Sequence, residues 1–315
     1  MRNLKYEDVA IVVCTYKNRY DCLLKHANTW AEYFPVYIVC REDDYKVSGY
    51  DKYDWNDKVN VMFLNNVHNI METREAAKNR IVELGYRGMI MIDDDIDGET
   101  ARKITPESKR TTSNSYKPLP YLFIDLLKDL VDYANEYDAS FNSTIMPMNI
   151  GFGEPGKVGV NGNLNYGCLV FINLEDLQKH NISYEVKHEL HEDFDIVFQL
   201  LRAGCTCITL LDRCFYMKGY DPKTSVVGEE SWLKIGTYIK WKNYYTIDAI
   251  YRKKNGGCWV ITGRKNLKKL FNSKGELFID TEYNKKLYEL CKEEFYGNRD
   301  LNRIIEFIAE NKKGK

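Results

Sequence analysis

Four short apolar runs, Val9 to Cys14, Val36 to Cys40, Val59 to Leu64 and Met89 to Ile92, are separated by longer amphipathic stretches. This alternation restricts the chain more than any other feature. Apolar runs of this length are too short for most helices and read as strands buried on both faces. The spacing predicts helices over Tyr20 to Tyr33 and Met71 to Leu84, the second closed by Gly85, where a helix C-terminus favours glycine. Strands and helices in this order give a mostly parallel sheet flanked by helices. Right-handed crossovers gather the C-terminal ends of the strands on one edge, where ligands bind.

Farther along, residues Gly98 to Pro120 are rich in Ser, Thr, Lys and Arg with three prolines, and read as a mobile loop. A helix from Tyr121 to Tyr137, a glycine-rich segment from Gly151 to Gly167, a strand over Cys168 to Ile172 and a helix after His191 are expected next. Beyond Cys214 the alternation fades, and the tail carries a basic, aromatic stretch followed by helices near Glu282 to Phe295 and Leu301 to Asn311. The 315 residues therefore divide into a main domain over 1–218 and a C-terminal basic, helical extension over 219–315.

With 45 basic and 46 acidic side chains the formal net charge is -1, so any polyanion must be bound by segregated charge. No stretch of about 18 apolar residues occurs, so no membrane span is expected and the chain reads as soluble and cytoplasmic. The nine cysteines are irregularly spaced, and Cys14, Cys40 and Cys168 sit in apolar runs, the pattern of reduced structural thiols. Cys205 and Cys207 lack a second pair at zinc-ligand spacing.

Two acidic motifs carry chemistry. Asp93-Asp94-Asp95 follows the apolar run Met89 to Ile92, so its carboxylates emerge at the ligand edge. Side chains alternate along a strand, which directs Asp93 and Asp95 to one side. Two carboxylates held together need a cation or donors between them, and hard ions such as Mg²⁺ or Mn²⁺ take such oxygens together with diphosphate oxygens. The second motif, Glu192-Asp193-Phe194-Asp195, opens a helix whose apolar residues Phe194, Val197, Phe198 and Leu201 share one face. Acids there either cap the helix through its dipole or supply a general base on a rigid support. His188 and His191 do not make the His-Glu-x-x-His spacing of a zinc protease.

Three segments in order carry a resemblance. Ile11 to Tyr16 resembles the first strand and nucleotide-binding turn of family-2-like GT-A glycosyltransferases. Asn65-Asn66 through Arg74 and Lys78-Asn79-Arg80 to Asp95 resembles the approach to their Asp-x-Asp motif, and Glu192 to Asp195 with Gln199 to Gly204 is similar to their Glu-Asp motif and its helix. The resemblance implies a GT-A α/β fold and transfer of a sugar from a UDP-sugar with Mn²⁺ or Mg²⁺. It implies Asp93 and Asp95 at the metal, Asp93 and Asp94 at the nucleotide, Asp193 as base with Glu192 beside it, and Thr15, Tyr16, Arg41, Arg74 and Lys78 as contacts to uridine and diphosphate. The sequence departs from many GT-A enzymes in having no histidine after His191 to complete the metal shell.

A narrower likeness, in Ile92 to Ile96, the His-Glu-Asp run and Arg41 to Tyr45, is to phage-type TET-associated glycosyltransferases. It implies a hydroxymethylated pyrimidine in DNA as acceptor and, for a phage gene, the bacterial host cytoplasm. Segregated charge agrees with that acceptor: between Tyr251 and Gly275 stand Arg252, Lys253, Lys254, Arg264, Lys265, Lys268, Lys269 and Lys274 with no acid, interrupted by Gly256, Gly257 and Trp259. Such a stretch suits a loop or hairpin that tracks phosphates. The segment after the aspartates adds Arg102, Lys103, Lys109 and Arg110. Two other readings stay open, the same chemistry on a polysaccharide or lipid-linked glycan, and a non-catalytic nucleic-acid-binding protein on a glycosyltransferase scaffold.

Overall fold

All six residues of the first strand, β1 (Val9–Cys14), are buried, which places it at the centre of a sheet covered on both faces. The computed structural model describes residues 2–15, 24–68, 70–112, 115–161, 168–184, 192–217, 249–252 and 258–261. They fall into two compact units, Met1–Ser183 with Cys205–Thr224, and Tyr184–Gly204 with Ser225–Lys315.

In the first unit, β1 pairs in parallel with β2 (Val36–Cys40) and β4 (Gly88–Asp93), and β3 (Val59–Phe63) pairs in parallel with β2. These strands match the sequence expectation within one residue at each end. Val9, Ile11 and Val13 join a core with Ala27 and Trp30 of α1 (Ala27–Trp30). The alternating Ala10 and Val12 are equally buried. Of the helix expected over residues 20–33, residues 20–23 lie outside the described residues. After β2 comes the short α2 (Glu42–Ser48). Next, α3 (Ile70–Glu83) packs against β1 and stops before Gly85, whose φ of 89° is the left-handed conformation expected of the residue ending that helix.

The segment read as a loop folds otherwise. β5 (Ile96–Lys103) runs directly out of the aspartate turn, β6 (Arg110–Thr112) pairs with β7 (Ser115–Tyr116), and β8 (Leu119–Leu122) pairs with β5. The composition misleads because these are strands of small sheets with much exposed surface, and Pro120 sits on an edge strand, where a missing N–H costs no ladder bond. The expected helix follows as α4 (Phe123–Glu136), burying Phe123, Leu126, Leu127, Leu130, Val131 and Ala134 in the core of β1.

The remaining strands extend the main sheet. β9 (Phe141–Thr144), β10 (Val158–Val160), β11 (Leu169–Asn173) and β12 (Cys207–Leu210) complete an eight-stranded sheet in the order β10-β12-β9-β11-β4-β1-β2-β3. β11 is antiparallel to both β4 and β9, so the sheet is mixed beyond β4. After β11 the chain forms α5 (Leu174–Lys179), started by the Asn173 side chain accepting from the Asp176 N–H.

A strand after β12, β13 (Arg213–Met217), completes a three-stranded sheet with β5 and β8. Arg213, 2% exposed, ties that sheet to α4: its guanidinium donates to Asp129 and, at 2.7 and 2.9 Å, to the equally buried Asp212. In the second unit the expected helix appears as α6 (Glu192–Arg202), and β14 (Ala249–Arg252) and β15 (Cys258–Ile261) pair antiparallel. The expected helices of the tail lie outside the described residues.

Removing one partner of a buried ion pair strands the other charge, at a cost of about 3–5 kcal/mol. Arg213→Ala is therefore expected to lower the urea-unfolding free energy by that amount. A loss below about 1 kcal/mol would show that Asp212 is not held as a buried charge.

Candidate functional site

The C-terminal ends of the parallel strands carry Thr15, Arg41 and the three aspartates. Cys14 stands opposite Asp93 on one side and Val39 on the other, so the residues after β1, β2 and β4 share one edge. β4 ends at Asp93, and Asp94 and Asp95 make the turn into β5. Asp93 and Asp95 thus converge through that turn and not through strand alternation. One oxygen from each carboxylate and the Cys168 sulfur lie within 4.8 Å of one another. Asp94 is buried.

Three neighbours set the electrostatics. Arg74, in the second turn of α3, is almost fully buried, and its guanidinium donates to the Asp93 carboxylate at 2.6 Å. Lys78, one helical turn later and equally buried, donates to Glu75 at 2.7 Å. Cys168 precedes β11, and its carbonyl accepts the Asp93 N–H at 2.8 Å. Burial, then the charges of Asp93 and Asp95, push its thiol well above the usual cysteine range, so it is a neutral hydrogen-bond donor to Asp93. The oxygens of Asp93 and Asp95 are consequently the strong donors of the cluster. Such a set fits a hard divalent ion, which needs only one or two protein carboxylates and fills its shell with water and phosphate.

The other expected contacts are distributed along the same edge. Thr15 follows β1; its N–H donates to Val39, and its buried hydroxyl shares a 2.7 Å hydrogen bond with Tyr50. Arg41 follows β2, heads α2 and donates to Asp44 at 2.9 Å from a side chain that is 44% exposed. Tyr16 lies outside the described residues. In the second unit Glu192 and Asp193 occupy the first turn of α6, and Asp193 is partly exposed. His188 and His191 lie outside the described residues, as do Lys253, Lys254, Arg264, Lys265, Lys268 and Lys269, while Arg252 ends β14.

Sequence reasoning classed Cys168 as a structural thiol and passed over its place beside the aspartates. Cys14, Cys40, Cys168, Cys205, Cys207 and Cys214 are free thiols. No local signal marks Cys168, because its position depends on β11 pairing with β4 across a long sequence separation.

A parallel half-sheet with an aspartate-rich turn at its C-terminal edge is the arrangement of the GT-A nucleotide-sugar transferases. The chain belongs to the TET-associated glycosyltransferase family, whose sequence profile matches residues 10–223. Among solved structures it resembles Staphylococcus aureus TarS 1–349 in complex with UDP-GlcNAc, at 16% identity and a TM-score of 0.48, covering 76% of this chain and 67% of that one. Another similar structure is GalNAc-T7 with UDP, GalNAc and Mn²⁺, at 9% identity and a TM-score of 0.49, covering 76% and 49%. The chain spans 60% of the length of TarS 1–349 in a further crystal structure of that protein. A search of curated proteins returned no match.

The proximity of Cys168 to the two carboxylates has a readout in thiol chemistry. Alkylation requires the thiolate, and a fall of one in pKa multiplies its fraction about tenfold. With chelator present at pH 8, Asp95→Asn and Asp93→Asn are each expected to lower the Cys168 pKa and speed its alkylation severalfold, followed by peptide mapping. Unchanged rates in both variants would contradict the cluster.

Proposed function

We propose that this protein transfers a sugar from a UDP-sugar to the hydroxymethyl group of a modified pyrimidine in DNA, with Mn²⁺ or Mg²⁺ held by Asp93 and Asp95. The observation that carries the reading is the convergence of those two carboxylates at the ligand edge of the sheet, in a chain of the TET-associated glycosyltransferase family. The divalent ion, when bound, neutralises negative charge that develops on the departing diphosphate. Arg74 holds Asp93 in place from a buried position, so the carboxylate is oriented before any donor arrives. Thr15, Tyr16, Arg41, Lys78 and Asp94 are assigned to the nucleotide.

Asp193, with Glu192 beside it, is assigned as general base. The acceptor oxygen attacks the anomeric carbon, the bond from that carbon to the diphosphate oxygen breaks, and UDP leaves with the bonding pair. The acceptor proton passes to the Asp193 carboxylate. A positioned base contributes about 10²–10⁴-fold. The DNA acceptor is supported by the acid-free basic stretch from Tyr251 to Gly275 and by the family. Within a duplex the target base must leave the stack, at a cost of a few kcal/mol.

The test is incubation with UDP-sugars and duplex DNA containing hydroxymethylcytosine or hydroxymethyluracil, then mass spectrometry of the nucleosides. A nucleoside heavier by one sugar residue is expected. Asp193→Asn should reduce its rate by at least about 10²-fold. Label that appears only on added oligosaccharides would overturn the DNA acceptor, and full activity of both Asp95→Asn and Asp193→Asn would overturn the catalytic assignment.

A further inference from the structure

The strands that leave the aspartate turn carry a concentration of positive charge for which the site chemistry has no use. Between Ala101 and Leu122 there are five cations and a single acid, Glu107, in a chain whose formal net charge is -1. Arg102, Lys109, Arg110 and Lys117 are all exposed.

Their support is built into the fold. Arg102 on β5 lies over the ring of Tyr216 at 4.8 Å. Arg110 on β6 lies over the ring of Tyr116 on β7 at 5.1 Å and donates to its hydroxyl at 2.8 Å. The Lys117 N–H donates to the Lys109 carbonyl at 2.8 Å, which brings those two lysines to the base of the same hairpin. A guanidinium laid on a ring has already lost part of its freedom, so less entropy is lost when it takes a phosphate. Glu107, the one acid, is exposed.

We infer that β5 and the β6–β7 hairpin form the track for the phosphodiester backbone of the acceptor DNA, an assignment that rests on the DNA reading of the proposed function. Its position argues for a polymer over a free phosphate. Arg102 stands seven residues beyond Asp95 along an extended strand, roughly 23 Å at the rise of a strand. That is the span of about seven phosphates along one strand of B-form DNA. One DNA strand lying along β5 reaches both Arg102 and the aspartate turn.

Counterion release supplies the test. Each phosphate contact contributes about 0.9 to the slope of log affinity against log salt for duplex DNA. Binding of a hydroxymethylated duplex to the full chain is followed by fluorescence anisotropy from low to moderate salt. The triple substitution Lys109→Gln, Arg110→Gln, Lys117→Gln should reduce the slope by about 2–3. Release of UDP from the donor without acceptor should stay unchanged, because none of these residues belongs to the catalytic machinery.

Each other outcome has one meaning. A wild-type slope in the triple variant, with DNA still bound, overturns the track and leaves the DNA acceptor standing. No salt-dependent DNA binding by the wild-type chain overturns the DNA acceptor and the track together. Should the triple variant lose donor hydrolysis, the double variant Lys109→Gln, Lys117→Gln decides in its place: a slope reduced by about 2 supports the track and an unchanged slope overturns it.

Discussion

Two carboxylates brought within 4.8 Å repel each other by about 3 kcal/mol at the effective dielectric of a protein surface. The structure around Asp93 and Asp95 is organised to bear that repulsion. The strand beneath them is buried between β1 and β11 and cannot slide, since a shift of one residue would put a side chain at the place of Gly88, where a Cβ would lie 2.9 Å from the Phe171 ring. Arg74 matches one of the two negative charges from a buried position on α3. The Cys168 thiol adds a hydrogen bond without adding charge. The turn thereby gathers carboxylate oxygens at the C-terminal edge of the parallel strands, where an open α/β sheet binds its ligands.

The parts of this arrangement that the sequence revealed are those fixed by local patterns. β1 and β2 begin and end where their apolar runs do, because strands buried on both faces tolerate no polar interruption. The aspartates were legible as the end of such a run, and Arg74 as a basic residue on the preceding helix pattern. The segment from Ile96 to Leu122 was not legible. Its strands hold together through cross-strand pairs, cation-aromatic contacts and the buried Arg213, and none of these leaves an apolar period in the sequence. Cys168 escaped for a related reason: its role follows from the antiparallel insertion of β11 beside β4, a long-range pairing that no short window encodes.

The same comparison changes the view of charge. A near-neutral chain offers little to a polyanion through its overall charge, so the arrangement of its cations decides what it can bind. The longer acid-free basic stretch in the sequence follows Tyr251. The cations after the aspartates, also legible in the sequence, gain a support in the folded chain on β5 and the β6–β7 hairpin, in the unit that carries the aspartate turn. A segment read as a loop thereby becomes a surface with a fixed direction, starting one residue after Asp95.

The central proposal is that Asp93 and Asp95 bind a divalent ion together with the diphosphate of the donor. Thermal unfolding of the full chain with Mn²⁺, with UDP and with both measures it directly. Mn²⁺ and UDP together should raise Tm by more than the sum of their separate effects, and the excess should vanish in Asp95→Asn. Separate effects that simply add in the wild-type chain, or an excess that survives in Asp95→Asn, would contradict it.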